Sequence, residues 1–228
     1  FNLAIHLGCA LALFGFLYHT LRLPVMANRF APAAGELAFA CALLWTVHPL
    51  GTECINYTIQ RSEGLVSLFY LSMFYCLTRV NTARRWQFLA LSCCALGMAS
   101  KEVMATAPLL AAFYLRIFHA DSRKVLLRKY GALLVGLALC WTELAFLLWH
   151  TPHGTTIGFE SDITPWTYLL NQSTAIAHYL RLSFWPDALV LDYGFPKPLT
   201  VDQVWPYAAT ICSLLFALVY FGRRRLEI

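Results

Sequence analysis

Apolar residues come in blocks, at 1–21, 37–47, 65–77, 88–99, 103–115, 133–149 and 207–221, each closed by a short polar stretch. Blocks of this size approach the ~20 residues that carry a helix across a bilayer. The pattern therefore predicts an all-α fold: a polytopic membrane helix bundle of about seven spans. The second block is short, so its helix is expected to begin near Pro32, a residue suited to a first helical turn. Residues 166–184 differ from the rest. Asn171, Thr174, His178 and Arg181 form a polar stripe at helical spacing, with Ala175, Ile176, Tyr179 and Leu182 nearby, the signature of an interfacial or re-entrant outer helix. With no soluble domain, biased tract or repeat of about 20–50 residues in view, residues 1–228 read as a single transmembrane domain.

Composition sharpens this picture. Of 228 residues, 59% are hydrophobic and 13% charged, which excludes an ordinary soluble domain. The net charge of +5 would suggest nucleic acid in a soluble protein, but its placement argues for membrane lipids and no nucleic acid. Arg22, Arg29, Arg79, Arg84, Arg85, Arg116, Arg123, Lys124, Arg128, Lys129, Arg223, Arg224 and Arg225 lie at alternate block ends, thirteen against the four of Arg61, Lys101, Arg181 and Lys197. The positive-inside rule makes the thirteen cytoplasmic. The stretch from His48, the turn at Ser100 and residues 150–205 then lie on the outer side, periplasmic or lumenal. One crossing is left between His150 and Arg223, so 166–184 is not expected to be a simple span. The eight cysteines show no metal or disulfide spacing, and all but Cys54 fall within apolar blocks.

The most polar run is HPLGTECINYTIQRSE, from His48 to Glu63. As one helix from about Pro49, it would align Glu53, Tyr57 and Arg61 on one stripe, with Asn56, Gln60 and Glu63 on a second. Lys101 and Glu102 occupy a tight turn between two blocks. Arg61, Lys101 and Arg181 could grip a phosphate, or else neutralise Glu53, Glu63 and Glu102. His48 reads as a cap for the helix start, with a base or metal ligand as the sharper alternative. His150 and His153 read as loop histidines, and Glu143 as a residue that snorkels outward or bonds a neighbouring helix. Asp187 and Asp192 are candidate acids that turn chemistry also explains. Asn56-Tyr57-Thr58 and Asn171-Gln172-Ser173 match the glycosylation acceptor pattern.

Three stretches in this order, HPLGTECINYTIQRSE, LGMASKEVMATAPLL and HYLRLSFWPDALVLDYGFP, resemble the multi-span glycosyltransferases of the GT-C fold. The likeness is to the transmembrane-and-TPR O-mannosyltransferase-like proteins and their bacterial relatives. The resemblance covers nearly the whole chain, and the first stretch is its most specific part. It implies an inverting transfer of a sugar from a polyprenyl- or dolichyl-phosphate carrier to a hydroxyl of an acceptor protein. The membrane would be a bacterial inner membrane or the endoplasmic reticulum, with the site on its outer or lumenal face. It also implies that Arg61, Lys101 and Arg181, with His48, Asn56, Gln60, Glu63 and His178, contact the donor. Glu53, then Glu102, are the best catalytic acids within the chain. The chain opens at Phe1, without Met and already inside an apolar block. A fragment is therefore expected, lacking a first span, the external loop that carries the main catalytic acid, and any C-terminal TPR repeats, and inactive alone. No cofactor follows from the spacing, and divalent-metal assistance is left open. The competing class is a transporter or lipid-handling permease that binds a charged solute at the same outer cluster. A third is a scaffold subunit whose outer charges pair off.

Overall fold

The computed structural model describes residues 1–57, 60–150, 164–187, 189–190 and 199–226. Every regular element among them is helical. They belong to two compact units, Phe1–Thr151 and Pro152–Ile228.

In the first unit, α1 (Asn2–Leu21) stops just ahead of Pro24, which opens α2 (Pro24–Phe30). Proline suits that position because the first turn needs no N–H donor from it. A 3-10 turn, Ala31–Ala33, joins α2 to α3 (Ala34–Thr46). The second block is thus a jointed helix entered at Pro24, with its joint at the expected Pro32.

The polar run does not form the single helix its spacing predicts. It folds as a 3-10 turn, Pro49–Gly51, then α4 (Thr52–Asn56), then an extended residue, Tyr57, with φ −94° and ψ 124°, ahead of α5 (Arg61–Thr78). The cause is tertiary. Asn2 of α1 donates its Nδ2 to the carbonyls of Ile55 at 3.3 Å and Tyr57 at 3.0 Å, satisfying acceptors that a helix end leaves open. Glu53, Tyr57 and Arg61 therefore do not share one helical stripe.

Next, α6 (Arg85–Ser100) ends at Lys101, whose extended backbone (φ −164°, ψ 146°) starts a 3-10 stretch, Glu102–Thr106. Helix α7 (Ala107–Phe118) follows with Pro108 in its first turn, and α8 (Arg123–His150) is 28 residues long.

Glycine contacts set the packing directions. A Cβ on Gly64, Gly8 or Gly15 would meet Ile5 at 3.2 Å, Leu68 at 3.2 Å or Tyr75 at 2.8 Å. Positions on α1 and α5 advance together, so the two run parallel at backbone distances that only small residues allow. Gly136 on α8 meets Leu91 on α6, and Cys140 meets Cys94 one turn on, so α6 and α8 are parallel as well. The first unit therefore has a polar end, with the starts of α1 and α5 and the finish of α6. Its opposite, basic end carries Arg79, Arg84, Arg85 and the start of α8. The core lies between α5, α6, α7 and α8, where Met73, Leu77, Cys94, Met98, Met104, Leu115, Tyr130 and Leu137 are buried.

The surface is the counterpart of this core. Leu11, Leu44, Phe88, Phe113, Val135 and Phe146 are each more than half exposed, and exposed large apolar residues lie on α1, α3, α6, α7 and α8, whereas α5 exposes none. Water does not tolerate so much exposed apolar area, whereas lipid covers it at no cost. By length and composition, α1 and α8 are apolar and long enough to cross a membrane. A third candidate is the pair Pro24–Thr46 and Pro49–Asn56, if its 54° bend lies within one span. Among the described residues, two or three candidates thus stand where the apolar blocks suggest about seven. Helix α6, with 16 residues, reaches only ~24 Å at 1.5 Å per residue, and α7, with 12, is shorter still.

In the second unit, α9 (Pro165–Phe184) packs against α10 (Val201–Leu226). Thr164 caps α9 by accepting from Thr167 N–H at 3.1 Å. Asn171, Thr174 and His178 are half-buried, while Trp166, Leu169, Ile176, Tyr179 and Phe184 are exposed.

Candidate functional site

The polar end of the first unit is built from α1 outward. His6, buried in the second turn of α1, stacks on Trp45 with ring centroids 4.8 Å apart, and its Nε2 lies 2.9 Å from the Thr46 carbonyl. A carbonyl only accepts, so that nitrogen carries the proton. The same ring stands 3.4 Å from where a Cβ on Gly51 would be. Thus α1 holds the end of α3 through His6 and the end of α4 through Asn2. His48 starts the next turn by accepting from Leu50 N–H at Nδ1, 3.3 Å away. This is a cap, in line with the plainer reading of that residue.

The charged residues sort into partnered and unpartnered groups. Gln60 donates its Nε2 to Glu53 at 2.8 Å, closing α4 onto the start of α5. Lys101 forms an ion pair with Glu63, and both are about a third exposed, 28% and 33%. Cys54, half-buried, lies within electrostatic reach of Glu63, Glu53 and Lys101 together, so these groups share one locality. Arg61 is exposed, its guanidinium 5.0 Å above the Phe1 ring, with no carboxylate partner among the described residues. Glu102, exposed at the head of its 3-10 stretch, also has no side-chain partner among them, and Asn56 is exposed at the end of α4. The alternatives for the two cations thus separate. Lys101 neutralises Glu63, whereas Arg61 has no carboxylate to neutralise among the described residues.

The turn that presents Lys101 is tightly tied. Its N–H donates to the Gly97 carbonyl at 3.1 Å, and its own carbonyl accepts from Met104 N–H at 3.2 Å. Trp141 of α8 donates its indole N–H to the Ala105 carbonyl at 2.9 Å, and Tyr70 of α5 bonds Thr106 at 3.1 Å. Helices α5 and α8 therefore brace the five residues after Lys101, and α6 holds Lys101 itself.

His178 and Arg181 belong to the second unit. Arg181 is engaged by Asp187, Nη2 to Oδ2 at 2.5 Å, in an exposed pair. Asp187 thereby acts as a partner for that cation. His178 lies edge-on to Tyr179 at 6.2 Å. Asn171 spends its amide on the Thr167 carbonyl at 2.8 Å. His150 lies with its Nδ1 3.0 Å from the Phe146 carbonyl, and Glu143 is half-buried near Cys94 and Cys140. Thr58, His153, Asp192 and Lys197 lie outside the described residues. Among the described residues, no group of three His, Cys, Asp or Glu side chains could hold a metal ion.

Asn2, His6 and Trp141 organise this end, yet nothing in their sequence context marks them. Each is a single polar or aromatic residue in an apolar block, and only folding brings it to its backbone acceptor. No protein-family model, curated protein or solved structure matches the chain.

Proposed function

We propose that the chain is the membrane-embedded part of a glycosyltransferase that uses a sugar linked to a polyprenyl or dolichyl phosphate and delivers it to a protein hydroxyl. In this reading the chain crosses the membrane about seven times, α5 to α7 and α10 included, and the polar end faces the periplasm or the lumen. The observation that carries it is that the polar end holds two cations open to an anion: Arg61, exposed and without a carboxylate partner among the described residues, and Lys101, held by a partly exposed Glu63. Such an arrangement suits an incoming phosphate: Arg61 offers a fork of donors, and Lys101 exchanges one carboxylate for the anion.

The chemistry then distributes as follows. The acceptor oxygen bonds to the anomeric carbon from the face opposite the phosphate, and the anomeric carbon–oxygen bond to phosphate breaks. Its electron pair leaves with the phosphate, where Arg61 and Lys101 stabilise the charge. The acceptor proton passes to a carboxylate. Glu102, exposed and without a partner, is better placed for that role than Glu53, which Gln60 already engages. His48 contributes by capping, and Asn56, Gln60 and Glu63 line the same locality.

In the full-length protein, Arg61→Ala and Lys101→Ala should each lower transfer from a polyprenyl-phosphate sugar by about 100-fold or more, with insertion and melting temperature retained. Normal transfer by both variants would sink the assignment. One feature favours a permease instead, the 54° bend between Pro24–Thr46 and Pro49–Asn56, since broken helices line solute sites in transporters. Counterflow of a soluble anion by reconstituted protein, without sugar transfer, would decide for that class.

A further inference from the structure

The basic end of the first unit has a composition that sugar transfer does not use. From residue 79 to 130, eight basic residues lie at this end against one acid, Asp121. No ion pair forms there among the described residues, where the two that exist are Lys101–Glu63 and Arg181–Asp187. A set of like charges left unpaired on a folded surface is costly unless something of opposite sign covers it.

The charges are also held in a defined arrangement. Arg79 donates to the Tyr75 hydroxyl at 2.9 Å, and its guanidinium stands 4.4 Å from the Trp86 ring centroid. Arg85 stands 5.6 Å from the same ring. Trp86 packs edge-on to Tyr75 at 5.7 Å. Two guanidiniums therefore share one indole, and most of their N–H donors are unspent. Arg84, exposed, is the residue between the two. Helix α8 completes the set. Leu91 and Gly136 are in contact in parallel helices. Arg85 lies six residues before the first, and Lys129 seven before the second, so both sit ~9–10 Å back along their axes. Lys129, itself 5.4 Å from the Tyr130 ring, is thus level with Arg85, with Arg128 beside it. Both helices also begin at this end, so their dipoles add positive potential.

Guanidiniums flanked by Trp and Tyr, at the end of helices whose sides are coated with apolar residues, match a phospholipid. Phosphate meets the fork donors, aromatic rings sit at headgroup level and acyl chains run along the exposed Phe88 and Leu89 of α6. We propose that the basic end of α6 and α8, centred on Arg79, Arg84, Arg85 and Trp86 with Arg128 and Lys129, is a binding site for an anionic phospholipid of the leaflet it faces. The proposal does not depend on the sugar-transfer reading and is tested without it.

The test is native mass spectrometry of the purified chain from mixed micelles of phosphatidylglycerol and phosphatidylcholine, reading the ratio of the two lipids retained. Phosphatidylglycerol should be kept in preference, and the preference should fall as salt is raised. Arg84→Gln with Arg85→Gln should reduce it by roughly 25-fold, about five-fold per charge. Arg84→Lys with Arg85→Lys should largely preserve it. Arg123→Gln with Lys124→Gln, the same charge loss ~9 Å further along α8, should change it less. Equal retention of the two lipids, or an equal loss from both glutamine pairs, overturns the site. Loss of the lipid to millimolar inorganic phosphate overturns it too, because the cluster would then take a free anion. Should the glutamine pair at 84 and 85 fail to fold, the salt series on the unmodified chain and the lysine pair still decide.

Discussion

Gly97→Ala puts a methyl group where the structure has none to spare. Gly97 is buried three residues before the end of α6, and an added Cβ would stand 2.7 Å from the sulfur of Met104, 2.8 Å from its Cγ and 3.0 Å from its Cε. Methionine is flexible, and on a surface it would simply swing away. Met104, however, is fully buried and sits in the stretch braced by Trp141 and Tyr70. Displacing it must shift the turn or the packed core. Overpacking of this kind costs roughly 1–3 kcal/mol, against a gain of about 1 kcal/mol from replacing glycine by alanine inside a helix. The net expectation is about 0–2 kcal/mol of destabilisation, or a few degrees in melting temperature for a chain of this size. The sharper prediction concerns coupling. Met104→Ala alone opens a cavity and costs roughly 2–5 kcal/mol. In the double variant the new methyl enters that cavity and keeps its helix gain. Gly97→Ala should therefore destabilise the native chain and stabilise Met104→Ala, a change of sign that a double-mutant cycle isolates. Thermal unfolding in detergent, followed as loss of the monodisperse peak, measures all four species. A Gly97→Ala chain that melts higher than the parent, with no reversal on Met104→Ala, would refute the close approach on which the placement of Lys101 rests.

Other expectations follow from single contacts. Glu63→Gln removes the carboxylate that holds Lys101. Stability should change by no more than about 1 kcal/mol for so exposed a pair, while affinity for a polyprenyl phosphate, measured by native mass spectrometry, should rise rather than fall. Asn2→Ala leaves the carbonyls of Ile55 and Tyr57 without their donor and should cost about 0.5–1.5 kcal/mol. Faster hydrogen exchange at residues 55–57 should reveal this, with α8 unchanged. His119, between α7 and α8, is held neutral by burial first and by the nearby Lys129 second, its pKa lowered to about 4. Below about pH 6.5 the unfolded chain takes up a proton that the folded one refuses, so stability should fall as pH drops from about 6.5 to about 4. His119→Gln should flatten that slope, and an unchanged slope would assign the dependence to other groups.

The helices themselves were legible in the chain, since apolar blocks, prolines near helix starts and basic block ends are local features, and local chemistry suffices to start and stop a helix. Alternation of basic ends also anticipated the directions that the glycine contacts establish between α1 and α5 and between α6 and α8. The number of crossings was less legible. An apolar block marks where a helix can lie in lipid but not whether that helix is long enough to cross, and α6 and α7 have only 16 and 12 residues. Of the candidate site, the polar residues were legible but not their pairings. His48 to Glu63 and Lys101 stand out as polar residues among apolar ones. Which carboxylate holds Lys101 depends on side chains 38 residues apart meeting at one end of a bundle. Asn2 and His6 were invisible for the same reason, because their acceptors are backbone carbonyls more than 35 positions away. Sequence by itself determined where the apolar helices form and which residues are too polar for lipid, but not that the His48–Glu63 run breaks into a 3-10 turn, a short helix and an extended residue. Tertiary structure alone decided which of those polar residues satisfy one another and which have no partner among the described residues, because hydrogen bonds and ion pairs act at contact distance and only packing brings distant segments into contact.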